Sequence, residues 1–333
     1  MSQSGIGERT LGGLALAHSA IQQLIDYGVR EFVIAAGSRN QPFVNVLKND
    51  TQFKKWYGFE ERSCAFFAFG RARQTNRPVA VITTSGTAAG ELLTATMEAY
   101  YTSVPLVLVT ADRPIDCRHA NTPQTCNQER LFGIYAQFID YDEPKPFEWD
   151  LRGPLHLNVC LEEPSRSFID TPAFTEQQVY FRKPLEINYE KLELFYNRVN
   201  NPLVIVSTLY ETASLKSFLL KLKAPLYIEA LSHLREDPDL LPYTVTIPTL
   251  EGVDGVLRIG GLPTHRIWRD LDTKNIAVLS ITENPFIGLR QGDFIHADIE
   301  PFFKSAPVRT YNKIGNPQSI NLNKEEAAIR SIS

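Results

Sequence analysis

With 333 residues, 43% of them hydrophobic and 22% charged, the chain exceeds the usual size of one core and fits two α/β domains better than one. A formal net charge of −4 leaves no overall basic excess to draw it to nucleic acid or an anionic membrane surface. No apolar run approaches the roughly 20 residues needed to cross a bilayer, and the opening MSQSGIGERT has no basic segment followed by a hydrophobic one, so a cytoplasmic protein is expected.

In chain order, Leu14 to Tyr27 has helical periodicity with Gly28 as a C-cap, and Glu31 to Gly37 (EFVIAAG) is a short buried strand. A helix over Gln41 to Asn49, a strand near Lys55 to Phe59 and a helix from Ser63 to Gln74 follow. Pro78 to Gly86 (PVAVITTSG) is a β-branched strand ending in small hydroxylated residues, and Ala88 to Tyr101 is the next helix. VPLVLVTADRP is a buried strand with a polar exit, and Gly153 to Pro164 (GPLHLNVCLEEP) is the last strand of this half. Strands alternating with helices imply parallel pairing with right-handed crossovers.

Between Pro164 and Glu193 the periodicity disappears, which marks a linker. Five further strands are expected at Asn201 to Ser207, Ala224 to Ala230, Gly252 to Gly261, Asn275 to Glu283 and Asp293 to Glu300, with helices at Ala213 to Lys223 and His265 to Asp270. The fold class is therefore α/β, with two parallel-sheet domains over residues 1–180 and 190–310. A polar tail over 311–333 is either disordered or a loosely docked helix.

The four cysteines, Cys64, Cys117, Cys126 and Cys160, form no CxxC pair and read as structural thiols of a reducing compartment. Cys117, His119 and Cys126 match no common zinc spacing, so no metal site is assigned. RIGGLP lacks the GxGxxG pattern, and Gly5 and Gly7 follow no strand, so neither supports a dinucleotide site.

Three polar signatures stand where apolar runs stop: AAGSRN (Ala35 to Asn40), FEERS (Phe59 to Ser63) and TADRP (Thr110 to Pro114). In an open α/β sheet, ligands bind beyond the carboxyl ends of the strands. Glu61, Arg39 and Arg113 are accordingly expected to face one cavity at the sheet's edge.

AAGSRNQP, FEERSCAFFAFG, VAVITTSGTA, VLVTADRP, NTPQTCNQERLFG and GPLHLN occur in the order found in SEPHCHC synthases, thiamine-diphosphate enzymes of menaquinone biosynthesis, and the chain resembles that family. The resemblance implies a pyrimidine-binding domain followed by a Rossmann-like central domain. It also implies a reaction: decarboxylation of 2-oxoglutarate on thiamine diphosphate and addition of the acyl anion equivalent to isochorismate.

By the same resemblance Glu61 is the glutamate set against the aminopyrimidine ring, with Glu60, where the family has aspartate, as the fallback. Ser85, Gly86 and Thr87 are expected beside the cofactor. Ser38, Arg39, Arg113 and Gln124 are expected to hold substrate, the guanidinium forks suiting carboxylates. Arg266 stands where the family has a substrate-facing lysine. The family's diphosphate and magnesium sit on a Gly-Asp-Gly domain, and this chain has no GDG string, so both groups are expected to need a domain that the chain lacks. A homo-oligomer, or pairing with a separate diphosphate-binding domain, follows as an expectation. A non-catalytic carboxylate-binding or regulatory relative and an acetolactate-synthase-like carboligase stay open as alternatives.

Overall fold

The computed structural model describes residues 3–120, 122–163, 171–175, 180–209 and 213–312, with side chains from residue 12 onward except that of residue 119. The chain divides into two compact units, Met1–Lys183 and Pro184–Ser333.

The first unit runs α1 (Gln3–Asp26), β1 (Glu31–Ala35), α2 (Gln41–Leu47), β2 (Lys54–Gly58), α3 (Glu61–Thr75), β3 (Val79–Thr83), α4 (Thr87–Gly90), α5 (Leu93–Tyr101), β4 (Leu106–Asp112), β5 (Gln137–Tyr141) and β6 (Leu155–Cys160). Its strands form one parallel sheet in the order β2-β1-β3-β4-β6-β5. β1, β3 and β4 are buried at every position, which is why they read as unbroken apolar runs: helices cover both faces. Phe32, Ile34, Ala80, Ile82, Val107 and Val109 meet Ala17, Ile21 and Leu24 of α1 and Phe43 of α2. On the opposite face Val33, Val81 and Leu108 meet Ala65, Ala68 and Ala72 of α3 and Ala95 and Ala99 of α5, small residues that let both helices lie against the strands.

α1 ends in a Schellman turn, with Gly28 at φ +89, Gly28 N donating to Ile25 O and Val29 N to Leu24 O. The helix expected over Ala88 to Tyr101 is interrupted after Gly90, the poorest helix former in the run, giving α4 and α5. β5 was not anticipated. It is a half-buried edge strand without a full apolar run.

Two described residues of the linker pack on α1 and the turn after it: Phe174 stacks on His18 at 4.4 Å, Tyr180 stacks on Tyr27 at 4.2 Å, and Tyr180 N donates to Asp26 O. Its residues 164–170 and 176–179 lie outside the described residues.

The second unit contains α6 (Glu190–Arg198), β7 (Pro202–Val206), α7 (Ala213–Leu222), β8 (Leu226–Ile228), β9 (Gly255–Ile259), α8 (Ile267–Leu271), β10 (Ala277–Thr282), β11 (Asp293–His296) and α9 (Ile299–Ser305). Its parallel sheet has the order β11-β10-β9-β7-β8. One face packs on α6, α7 and α9, the other on α8. The strand expected to reach Glu300 stops at His296. Asp298 takes the N-cap position and Pro301 falls in the first turn, where a missing N–H is harmless, so a helix begins instead. Tyr311 N donates to Leu222 O, which fastens the described end of the tail to this unit, and residues 313–333 lie outside the described residues.

Candidate active site

In the first unit the chain goes from β1 outward to β2, then returns across β1 to β3, so the direction of travel reverses between β1 and β3. The exits of those two strands flank the crevice where ligands of such sheets bind. Contact there is tight: a Cβ on Gly37 would come within 2.4 Å of Thr84 Cβ, so only glycine lets the two loops meet. Asn40 Nδ2 donates to Ala35 O (2.7 Å) and ties the first loop to its strand.

Ser38 is exposed, whereas Arg39 is 9% exposed. Its guanidinium donates to Leu161 O (2.8 Å) and pairs with Glu163 Oε2 (2.7 Å), a carboxylate whose side chain is 78% exposed. Arg39 thus already holds a carboxylate, and an exposed partner of this kind is bound only weakly against solvent.

At the exit of β2 the two adjacent glutamates have separate jobs. Glu60 is the N-cap of α3: its side chain accepts from Arg62 N (3.1 Å), Ser63 N (2.8 Å) and the Ser63 hydroxyl. The Ser63 hydroxyl and backbone N–H, followed by Arg62 N–H, hold its carboxyl below the usual glutamate range. Glu61 begins the helix half-buried, and among the described residues no hydrogen bond or ion pair engages its carboxylate. Capping therefore occupies the Glu60 carboxylate, whereas that of Glu61 has no such partner among the described residues.

Ser85, Gly86, Arg113 and Gln124 form one clamp. Gln124 O accepts from Ser85 Oγ (3.1 Å) and from Arg113 (3.1 Å), and the guanidinium also donates to Ser85 Oγ (3.3 Å) and Pro123 O (2.5 Å). All of these partners are neutral, so the charge of Arg113 is not balanced by an ion pair among the described residues. Gly86 sits at φ +82, and a Cβ there would come within 2.8 Å of Gln124 O. Thr87 is exposed at the start of α4, and the side chain of Gln124 is exposed on a backbone with φ +57.

Behind the clamp lies a buried polar network that the sequence reading did not single out. Gln128 joins Gly86 N to Asn158, which donates to Asp112 Oδ2 (3.0 Å) and Asp140 Oδ1 (3.1 Å). Arg118 donates to both oxygens of Asp140 (2.8 and 2.7 Å), to Glu129 (3.0 Å) and to Cys160 Sγ (2.6 Å), with Nε 3.2 Å from Asp112. Burial pushes the Cys160 thiol up to about 12, which keeps it protonated. The signal for this network was present in LHLN, where His156 and Asn158 interrupt an apolar strand on one face, because buried polar side chains require partners.

Burial also pushes the His156 imidazole down to about 3, against the charge of Asp140. The unfolded chain takes up this proton near pH 6.5, so the folded state loses ground as pH falls through the window from about 6.5 to 3, by up to about 1.4 kcal/mol per unit. We expect His156→Gln to flatten that slope between about pH 6.5 and 4.5 in urea titrations of the first unit. An unchanged slope would assign the acid sensitivity to other groups.

A cavity of about 650 Å³ opens at the exits of β4, β5 and β6, lined among others by Gly12, Asp116, Asp142, Glu143, Cys160 and Glu162. Its four carboxylates make this cavity unsuitable for a polyanion, and Glu61, Arg39 and Arg113, which follow β2, β1 and β4 at the same edge of the parallel sheet, are not among its lining residues. In the second unit Arg266 is exposed immediately before α8, beyond a turn where Gly260 at φ +92 approaches Thr208 O. Glu229 Oε1 accepts from Thr264 N (2.7 Å) and His265 N (2.8 Å) and holds that turn.

Two α/β units with parallel sheets and polar strand exits are the architecture that the thiamine-dependent enzymes also have. The family model described as thiamine pyrophosphate enzyme, N-terminal TPP binding domain, matches residues 14–131. Solved structures agree in fold. Benzoylformate decarboxylase from Polynucleobacter necessarius superposes with a TM-score of 0.65 at 16% identity, over 89% of this chain and 62% of that one. A putative thiamin diphosphate-dependent enzyme from Mycobacterium smegmatis gives 0.66 at 16% identity, over 90% and 64%.

More particularly, the chain is a relative of the 2-succinyl-5-enolpyruvyl-6-hydroxy-3-cyclohexene-1-carboxylate (SEPHCHC) synthases. It is 40% identical over 302 residues to that of Bdellovibrio bacteriovorus, covering 83% of this chain and 56% of the relative. Identity is 40% over 290 residues with that of Akkermansia muciniphila (82% and 54%) and 32% over 326 residues with that of Lysinibacillus sphaericus (85% and 57%). The chain spans little more than half the length of these relatives.

Proposed function

We propose that this chain supplies the pyrimidine-facing and central parts of a SEPHCHC synthase, which removes CO2 from 2-oxoglutarate and joins the remaining succinyl unit to isochorismate. The observation that carries this reading is the presence, along one edge of one parallel sheet, of a carboxylate, Glu61, and a guanidinium, Arg113, of which among the described residues the first has no hydrogen-bond or ion-pair partner and the second has only neutral ones.

The residues present fit the aminopyrimidine half of thiamine diphosphate. Ser85, Gly86 and Thr87 offer a wall that lacks a Cβ at its centre, and Glu61 keeps its oxygens available for a ring nitrogen. When bound, the cofactor supplies the electron sink for decarboxylation and carbon–carbon bond formation. Glu61 holds or moves a proton at the pyrimidine ring. Arg113, with Ser38 and Gln124, orients substrate carboxylates, and Arg39 takes one by giving up Glu163. Arg266 is the candidate substrate cation of the second unit. Because the 333 residues contain no Gly-Asp-Gly string, this reading assigns diphosphate and magnesium to a domain outside these residues, in a cytoplasmic assembly.

The test combines the chain with the diphosphate-binding domain of a relative, thiamine diphosphate, magnesium, 2-oxoglutarate and isochorismate. CO2 release that requires both proteins, with formation of the adduct, is the expected result. A folded mixture that binds the cofactor and releases no CO2 would favour a non-catalytic carboxylate-binding relative. Preference for pyruvate would favour an acetolactate-synthase-like enzyme.

A further inference from the structure

We infer that Gln128 is a positioning residue, one that sets the Ser85–Gly86 turn and through it the guanidinium of Arg113. The inference rests on the reading of Arg113 as a substrate cation. Gln128 touches the sheet, the turn and the strap between β4 and β5, yet it is only 1% exposed and so is itself out of reach of a ligand.

Its amide has one allowed orientation, and the reason lies 30 residues further along the chain. Asn158 Nδ2 faces two carboxylates, Asp112 and Asp140, which accept only, so Asn158 Oδ1 must point the other way. There it accepts from Gln128 Nε2 (2.8 Å) and from the Thr110 hydroxyl (2.8 Å). With its single proton spent on Asn158, Thr110 Oγ1 must accept from His156 Nε2 at 2.8 Å, and His156 Nδ1, buried without a partner among the described residues, carries the lone pair.

Gln128 Nε2 makes its second donation to Ala111 O (3.3 Å), leaving Oε1 to accept from Gly86 N at 3.0 Å. That N–H stands at the start of α4, where no helical acceptor exists for it. Ser85 Oγ, Gln124 O and Arg113 are hydrogen-bonded around the same turn, so displacing Gly86 displaces the guanidinium.

Gln128→Glu keeps the shape and reverses the wiring. As a carboxylate it sets lone pairs against Asn158 Oδ1 and Ala111 O, whereas in the protonated form its O–H restores the donation to Asn158. The charged or titratable groups linked to it through Asn158 and through the Gly86 turn are Asp112, Asp140, His156, Cys126 and Arg113, with Arg118 and Glu129 beyond Asp140. Against burial, hydrogen bonds from Arg118 and Asn158 hold Asp140 below the usual aspartate range, and His156 stays neutral down to about 3. Neither changes charge between about pH 5 and 8. Burial and facing acceptors favour the neutral form of the introduced carboxyl, so the bonds to Asn158 and Gly86 are present at low pH, with only the weak donation to Ala111 O missing, and the Asn158 bond is lost as pH rises through the carboxyl's elevated pKa.

The experiment measures, in the full chain, exchange of the Gly86 amide and of the Arg113 guanidinium protons by NMR, and the Kd for 2-oxoglutarate, at about pH 5 and 8. For Gln128→Glu we expect about tenfold faster exchange at both groups and about tenfold weaker binding at pH 8, both returning to wild-type values, corrected for intrinsic exchange, toward pH 5. Gln128→Met, which keeps the volume and removes both hydrogen-bonding functions, should show the high-pH behaviour throughout. Amides of β9 serve as the control and should not respond. Wild-type exchange at Gly86 and Arg113 in both variants would overturn the inference, as would altered exchange at Gly86 alone. If wild type itself ignores 2-oxoglutarate, the carboxylate reading fails, while the two exchange rates still decide whether Gln128 sets the turn and the guanidinium.

Discussion

Glu61→Gln is expected to reduce turnover of the reconstituted enzyme by about 100- to 10,000-fold, the range spanned by loss of a positioned acid or base. The amide keeps the size of the side chain and its place in the first turn of α3 but can no longer take up a proton. Little else should change. Among the described residues no hydrogen bond depends on the Glu61 carboxylate, and the cap of α3 is provided by Glu60. Loss of one negative charge from a helix N-terminus weakens the helix by about 0.3–1 kcal/mol, so the folded state should survive with a slightly lower midpoint. Glu60→Gln provides the contrast: it removes the charged cap and should destabilise α3 while leaving most of the turnover. Steady-state rates and urea midpoints for both variants decide the assignment. Full turnover in Glu61→Gln, or a larger loss of turnover in Glu60→Gln than in Glu61→Gln, would move the proton-handling role elsewhere.

The division of labour between these two carboxylates illustrates what local sequence does and does not encode. β1, β3, β4 and β6 were legible because strands covered on both faces need nearly continuous apolar runs, and their polar stops located the sheet edge. β5 escaped because an edge strand that is half-buried has no such run. Arg39 was legible as a cation at a strand exit, but its pairing with Glu163, 124 residues away, has no local signature. The same holds for Arg118, which reads as one more charge in a polar loop until β4, β5 and β6 bring Asp112, Asp140 and Cys160 around it. What the letters reveal is which residues must avoid water. Which of them then meet is set by the crossover topology.

Arg118→Ala carries the largest expected effect on stability, about 3–5 kcal/mol for the first unit, because it leaves the buried Asp112 and the partly buried Asp140 without the charge that now neutralises them. Asp112 and Asp140 both reach toward Asn158 Nδ2, and the Arg118 side chain, 6% exposed, is the cation between them. Glu129, at 49% exposure, is screened and contributes little to this loss. Arg118→Met retains most of the packing, so its deficit isolates the charge. The pH dependence gives the decisive check. In the wild type the Asp140 carboxyl titrates below its unfolded value, so its contribution is present above about pH 4 and is lost as pH falls through the depressed folded pKa. Without the guanidinium, burial and the neighbouring Asp112 raise that pKa above the unfolded value, and protonation then relieves the variant. The gap between wild type and Arg118→Met should therefore narrow as pH drops below about 5, measured by urea unfolding of the first unit. A deficit under about 1 kcal/mol, or one that does not depend on pH, would mean that solvent already screens the cluster and that packing, rather than charge, gives Arg118 its place in the fold.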